Sequence, residues 1–336
     1  MPAAGTGLEG ARSVLFLRLG KLGDMIVSAW LFGEARRALP KARLGLVTLP
    51  RSLEFSRGLP EFDEVRAWSP LALPGLTWSL RGRWDWIVDL NELPSRRSRL
   101  AMGLFRPGKV AAFRATGLKA DIVFDPPTKE ESHVLDRLAC AGRALGFGPC
   151  RSPRPRVVLP EGALEAARRR IGEGPSVTLN LSAGHPSRYW PLERWRGLAH
   201  ALLEADPRLR LQVLASAQDS SLVSELLSTL PAGRICPAPG PGLWDFLAAV
   251  GASKLLISPD TSAIHCASAF GVRVVGLYPE PAWNLASWGP WGRGHRVLRS
   301  PSGGLEALPL ESVRTAALLA LKGAPARRPL RSRARP

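Results

Sequence analysis

The chain of 336 residues is 45% hydrophobic and 22% charged with a mean hydropathy of −0.01, which excludes a disordered tail or a small disulfide-stapled domain. Its length lies above the size at which single cores stop growing, so two domains are expected. The formal charge is +18, but 39 Arg and only 7 Lys spread among Ala, Gly and Pro are what a GC-rich coding bias leaves behind, and charge alone identifies no ligand. No apolar run reaches the roughly 18 to 20 residues of a membrane span. The start of the chain lacks the charged, apolar and small-residue succession of a signal peptide, so a cytoplasmic protein is expected. Cys140, Cys150, Cys236 and Cys266 lie far apart with no CxxC pair, and neither a disulfide framework nor a metal site is expected.

In chain order, Ser13 to Leu19 (SVLFLRL) reads as a strand, Gly20 to Asp24 as a glycine loop, and the segment up to Pro40 as a helix with Asp24 as its N-cap. The apolar positions Ile26, Val27, Trp30, Leu31 and Ala35 recur at helical spacing. Strands at Leu44–Leu49, Val65–Trp68 and Trp86–Leu90 follow, and a helix from Glu130 to Leu145 closes this half. The stretch CRSPRPRVVLPEG, rich in proline and arginine, reads as the connection between domains.

The pattern then restarts. Strands are expected at Val177–Leu181, Leu209–Leu214, Leu255–Ser258 and Val272–Leu277, with helices at Leu192–Glu204, Ser220–Leu230, Gly242–Ala252 and Ser262–Phe270, the last ended by Gly271. The fold class is therefore α/β, with two Rossmann-like doubly wound domains facing across a cleft. Their expected extents are 12–155 and 156–322, followed by a basic disordered tail at 323–336.

Three strand-to-helix loops put polar groups where a parallel sheet presents its ligands. In Gly20-Lys21-Leu22-Gly23-Asp24 the glycines allow close backbone approach and Asp24 offers a carboxylate, or else merely caps the helix. In the loop from Asn180 to Arg188, the small residues around Ser182 and Gly184 followed by the Arg188 cation suit phosphate, or form an ordinary loop with a solvated arginine. In Ser258 to His265, free N–H groups at Thr261, Ser262 and Ala263 suit a pyrophosphate at a helix N-terminus. There, Asp260 or Thr261 as a plain cap and His265 on a packed helix face are the alternatives.

The order of these loops resembles glycosyltransferase family 9, the ADP-heptose lipopolysaccharide heptosyltransferases, which are inverting enzymes of the GT-B fold. The resemblance runs from about Val14 to Gly292. It is carried by LRLGKLGDMIVSAWLFGEARRALP, SHVLDRLACAGRALGF, LNLSAGHPSRYWPLERWRGLAHAL and LLISPDTSAIHCASAFGVRVVGLYPEP. It implies transfer of heptose from ADP-heptose to the lipopolysaccharide inner core, with Asp24 as general base and Arg18 and Gly23 on the acceptor side. It also implies that Ser182, Gly184, Arg188, Asp219, Asp260, Thr261, Ser262 and His265 surround the donor.

Arg stands at 188 where many members carry Lys, Ser262 where Gly is usual, Trp30 where Pro is common, and Ala215-Ser216-Ala217 where a glycine-rich turn is usual. Another sugar nucleotide on the same scaffold, or a non-catalytic glycan-binding relative, are the competing readings. The resemblance further implies a metal-independent monomer with no cofactor beyond its sugar-nucleotide co-substrate. A basic N-terminal domain and some of the eleven tryptophans would meet the anionic inner face of the inner membrane. Trp86, Trp190 and Trp195 are equally placed to be core aromatics. Nucleic-acid binding rests on charge alone, with no RNP-like, zinc-finger or helix-turn-helix pattern to support it.

Overall fold

Strand β1 (Ser13–Arg18) is buried at every position after Ser13, as a parallel strand covered on both faces must be. It opens the first of two sheets in the computed structural model, which describes residues 7–148, 150, 152–236, 239–280 and 283–322. The expected tail at 323–336 lies outside the described residues. After β1 come α1 (Leu22–Ala38), β2 (Arg43–Thr48), α2 (Leu53–Arg57), β3 (Glu64–Ala67) and α3 (Leu73–Leu80). The remainder of this half is β4 (Trp86–Asp89), α4 (Arg96–Phe105), β5 (Lys109–Phe113), β6 (Ile122–Phe124) and α5 (Val134–Ala144).

The strands form a parallel sheet in the order β3-β2-β1-β4-β5-β6, with Val14 in register with Leu44 on one side and Trp86 on the other. After β3 the chain therefore returns across the sheet to place β4 beside β1, and that reversal opens a crevice at their carboxyl ends. Alternation along β1 supplies both faces. Phe16 meets Phe32 of α1 and Phe62 edge-on at 5.4 and 6.0 Å. Leu15 and Leu17 join Leu76 and Leu80 of α3 and Ala101 and Phe105 of α4 in a separate cluster.

The chain divides into two compact units between Val158 and Leu159. Arg156, expected at the start of the second domain, belongs to the first. Its backbone N–H donates to the Ile26 carbonyl at 3.0 Å and its guanidinium pairs with buried Glu61.

The second unit contains α6 (Ala163–Ile171), β7 (Ser176–Asn180), α7 (Leu192–Ala205), β8 (Arg210–Leu214), α8 (Ser220–Leu227) and α9 (Leu243–Gly251). It ends with β9 (Leu255–Pro259), α10 (Ser262–Phe270), β10 (Arg273–Tyr278), α11 (Trp283–Trp288), β11 (Arg296–Arg299) and α12 (Leu310–Lys322). Its parallel sheet runs β11-β10-β9-β7-β8, so the reversal falls between β7 and β9. Its core gathers Leu179, Leu198, Val275 and Val313 around Trp195, which meets Trp190 edge-on at 4.9 Å. Trp190 and Trp195 are thus core aromatics, and the buried Trp190 Nε1 is satisfied by the Leu308 carbonyl at 2.9 Å.

Three helix boundaries differ from the sequence expectation, each because side chains satisfy the backbone elsewhere. Helix α1 begins at Leu22 with Lys21 as N-cap, so Asp24 is its third residue rather than its cap. Helix α5 starts only after His133, whose ring accepts the Leu135 N–H at 3.2 Å. The preceding residues form a turn in which the Glu131 carboxylate takes the Thr128 hydroxyl at 2.9 Å. Helix α8 stops at Leu227, where the Ser228 and Thr229 hydroxyls bond back to the carbonyls of Glu225 and Leu226 ahead of Pro231.

Trp195→Ala is expected to destabilise the second unit by about 3–5 kcal/mol, since a fully buried indole leaves a cavity the sheet cannot close. Urea unfolding followed by far-UV circular dichroism checks this, and a midpoint equal to that of the parent contradicts it.

Candidate functional site

In the first unit the residues after β1 and β4 meet at the reversal. Arg18 ends β1 with its side chain almost wholly buried, donating to the Leu90 carbonyl and standing 3.2 Å from Asp24 Oδ1. The other Asp24 oxygen accepts the Lys21 N–H at 2.8 Å, which closes the first turn of α1. The carboxylate therefore folds back across the loop, and Gly20 is the residue that permits it. A Cβ at Gly20 would lie 2.5 Å from Asp24 Cβ and Cγ. Asp24 remains 24% exposed, so one carboxylate is both held and reachable at the positive end of a 17-residue helix. Gly23, partly exposed, is the second residue of α1.

Behind this pair lies a carboxyl group the sequence did not single out. Asp89, fully buried at the end of β4, accepts the Asn91 N–H at 2.9 Å and its Nδ2 at 2.6 Å. Burial pushes its carboxyl above the ordinary value, opposed by the bonds from Asn91 and Ser98 and by the charge of Arg18. Asn91 Oδ1 in turn accepts the Leu19 N–H at 2.9 Å, tying the β4 exit to the β1 exit. Next to it, Arg137 of α5 makes a two-pronged pair with Glu92 at 3.1 and 3.0 Å. Both line a pocket of about 370 Å³ with Phe113, Arg114, Phe124 and Lys129. The sequence clue to this group was the polar run Asp89-Leu90-Asn91-Glu92 at a strand exit. Its meaning depends on β4 lying beside β1.

In the second unit the loops after β7, β8 and β9 are laced together by hydroxyl groups. Asn180, buried at the end of β7, donates to the Ser258 and Thr261 hydroxyls at 2.9 and 3.2 Å, joining the β7 and β9 exits. Ser182 donates to Asp219 at 2.6 Å and accepts the Ser216 N–H, also at 2.6 Å. The Tyr189 hydroxyl reaches the same carboxylate at 3.1 Å. Ser216 occupies the turn where glycines are usual in the resemblance, and its hydroxyl adds a third donor to Asp219 at 3.0 Å. Gly184 is exposed between Ser182 and a short turn that carries Arg188.

Arg188 reaches across to the β9 exit, donating to the Asp260 carbonyl at 3.0 Å and standing 3.1 Å from the Asp260 carboxylate. Asn284 of α11 approaches that carboxylate at 3.3 Å. The guanidinium is about one-quarter exposed, so it is fixed in place yet open to an anion. Thr261 caps α10 through its hydroxyl and the Ala263 N–H at 3.4 Å. Ser262 is the first residue of that helix and is not among the described non-glycine residues with positive φ, so the change from glycine imposes no strain. His265 lies 3% exposed on α10 with its ring edge-on to Trp288 at 5.7 Å, which places it beneath the loop rather than on its surface.

The chain has two tyrosines, and both titrate above the ordinary range. Burial raises Tyr189 first, followed by the hydrogen bond and charge of Asp219; burial raises Tyr278. Asp219→Asn removes a negative charge that disfavours the tyrosinate, so it is expected to move the Tyr189 step down toward 10.0 and leave Tyr278 in place. An ultraviolet titration checks this, and an unchanged pair of steps contradicts the Asp219 contact.

The sequence model of Glycosyltransferase family 9 (heptosyltransferase) matches residues 99–308. No curated protein matches significantly. Among solved structures, a family 9 glycosyltransferase from Veillonella parvula DSM 2008 is similar at 19% identity and a TM-score of 0.77, covering 93% of this chain and 98% of its own. The ADP-heptose lps heptosyltransferase II of E. coli is similar at 20% identity and 0.73, covering 92% and 98%. The E. coli heptosyltransferase WaaC, solved with ADP, is similar at 16% identity and 0.70, covering 92% and 99%. It has also been solved with ADP-2-deoxy-2-fluoro heptose. These likenesses give the two parallel sheets described above their place in the GT-B fold. With more than half of its length matched by one family, the chain belongs to glycosyltransferase family 9.

Proposed function

We propose that the protein transfers a heptose from ADP-heptose to the inner core of lipopolysaccharide with inversion at the anomeric carbon, Asp24 serving as general base. The observation that carries the reading is the Asp24 carboxylate itself, folded over Gly20, steadied by Arg18 and the Lys21 N–H, and still open to solvent. A base held this way needs no reorganisation to receive a proton. The donor and acceptor classes are supported by the structural neighbours, one an ADP-heptose lps heptosyltransferase and another solved with ADP.

In this mechanism an acceptor hydroxyl gives its proton to Asp24 while its oxygen forms the new bond to the anomeric carbon. The bond from that carbon to the diphosphate breaks, and the electron pair leaves with ADP. Negative charge thus grows on the diphosphate, and the second unit supplies two positive features to meet it. One is Arg188, braced by the Asp260 carbonyl and carboxylate so that its remaining N–H groups stay directed. The other is the N-terminus of α10, which begins at Ser262 and turns the positive end of its dipole toward the loop. Arg188 and α10 take the part that a divalent ion would otherwise play, so the reaction is proposed to be metal-independent. Ser182, Ser216 and Asp219 hold the adjoining loop in the shape that receives the nucleoside. On the acceptor side, the pocket beside Glu92 and Arg137 opens in the same unit as Asp24.

Asp24→Asn keeps the shape and an oxygen for the Lys21 N–H but removes the base. It is expected to lower the turnover number by about 10²–10⁴-fold while leaving donor affinity within a factor of about two. Steady-state transfer assays with parallel calorimetry check both parts. Parent-like turnover contradicts the role of Asp24.

A further inference from the structure

Strands β7 and β8, with α7 between them, form a parallel crossover unit whose exits lead into the loops that carry Ser182, Ser216 and Asp219. In a sheet of this kind a carboxylate just beyond the second strand stands where the vicinal diol of a nucleotide ribose is received. Asp219 has that place, and its carboxylate is already engaged. Oδ2 accepts the Ser182 hydroxyl at 2.6 Å and the Ser216 hydroxyl at 3.0 Å. The Tyr189 hydroxyl sits almost evenly between the two oxygens, 3.1 Å from Oδ1 and 3.2 Å from Oδ2.

A carboxylate oxygen offers two lone-pair sites, so Oδ2 is filled and Oδ1 keeps one. A vicinal diol presents two O–H donors close together and pairs with a carboxylate end-on, one hydroxyl to each oxygen. Tyr189 holds that bridging position. The two serines belong to the loop framework, because Ser182 also accepts the Ser216 N–H at 2.6 Å and so ties the β7 exit to the β8 exit. Tyr189 has no such second task toward the β8 exit: its hydroxyl reaches Asp219 from the segment after the short turn that carries Arg188. Its ring is only partly buried and borders an apolar pocket of about 240 Å³ with Leu181, Pro191 and Leu222, which leaves room for the ring to turn aside.

We propose that Tyr189 is a built-in competitor for the ribose: its hydroxyl bridges the Asp219 carboxylate in the free protein and gives way to the diol of a bound nucleoside diphosphate. The inference rests on the reading that this edge receives the donor nucleotide, and it adds the residue that sets the affinity. Only molecules with Tyr189 turned aside accept the diol, so the apparent affinity is reduced by the fraction in that form. The same exchange serves departure of the nucleotide. When the ribose leaves, the tyrosine returns to the carboxylate and restores its hydrogen bonding.

Calorimetric titration of the parent and of Tyr189→Phe with ADP and with 2′,3′-dideoxyadenosine diphosphate, which lacks the diol, tests the proposal. Phenylalanine keeps the ring, and Asp219 keeps its bonds from Ser182 and Ser216, so the loop is expected to hold its shape. A melting curve matching the parent checks this. ADP is expected to bind Tyr189→Phe about three- to tenfold more tightly than it binds the parent, and the dideoxy compound equally to both. A structural role for the hydroxyl would give the opposite sign, since a loosened loop weakens both ligands. Unchanged or weaker ADP binding by the folded variant overturns the proposal. So does an equal gain for the dideoxy compound, which places the effect outside the diol. A parent that binds ADP beside a variant that gains nothing leaves the donor reading standing and removes only the role of Tyr189. A parent that binds neither compound overturns both.

Discussion

A parallel strand buried on both faces can present polar groups to a ligand in one place, beyond its carboxyl end. The polar clusters of this chain stand where that constraint meets a reversal of strand order. In the first sheet the reversal sets β1 beside β4, and within a few residues of their ends stand Arg18, Asp24, Asp89, Asn91 and Glu92. In the second it sets β7 beside β9, whose exits carry Asn180, Ser182, Asp260 and Thr261. Strands β1, β4 and β9 are almost wholly apolar up to their last residues, so their polar side chains collect at these edges, whereas polar groups inside the second sheet, Thr178 and Gln212, are buried only as a hydrogen-bonded pair at 2.8 Å.

The two edges are built with different chemistry. The first is ionic: a buried arginine faces an accessible carboxylate, with a second, fully buried carboxyl behind it. Such a cluster costs desolvation energy and is sustained by hydrogen bonds, here donated to the carboxylates by Lys21 and Asn91 and donated by Arg18 to the Leu90 carbonyl. The second is a mesh of neutral hydroxyl groups about Asn180 and Asp219, with one braced arginine. A mesh of that kind fixes loop shape without adding much net charge.

The alternation of strands and helices, the domain count and the three polar loops were legible because each rests on local pattern: apolar runs, glycine and proline boundaries, a cation after small residues. Asp24 was singled out as a carboxylate at the strand exit, and only its alternative reading as the N-cap of α1 is overturned. Its position as third residue of α1 depends on Lys21 supplying the N-cap backbone, and lysine is not a recognisable cap in sequence. Asp89, Asn91 and the Glu92–Arg137 pair were not legible, because residues 45 apart become partners only when α5 and the β4 exit are packed in one unit. Ser216 and Tyr189 were passed over because a serine in a turn and a tyrosine before Trp190 carry no signal until Asp219 is set between them. Helices α3 and α4 were missed for a different reason: their outer surface combines exposed leucine and tryptophan with arginine, which breaks the polar-outside pattern that sequence reading relies on.

The central claim is that the β7–β9 edge receives the diphosphate of an adenine nucleotide sugar. Calorimetric titration of the unmodified protein with ADP, GDP and UDP in turn, without added metal, tests it most directly. The account predicts that ADP binds at least about tenfold more tightly than either alternative. Preferential binding of GDP or UDP, or no binding of any of the three, would contradict it.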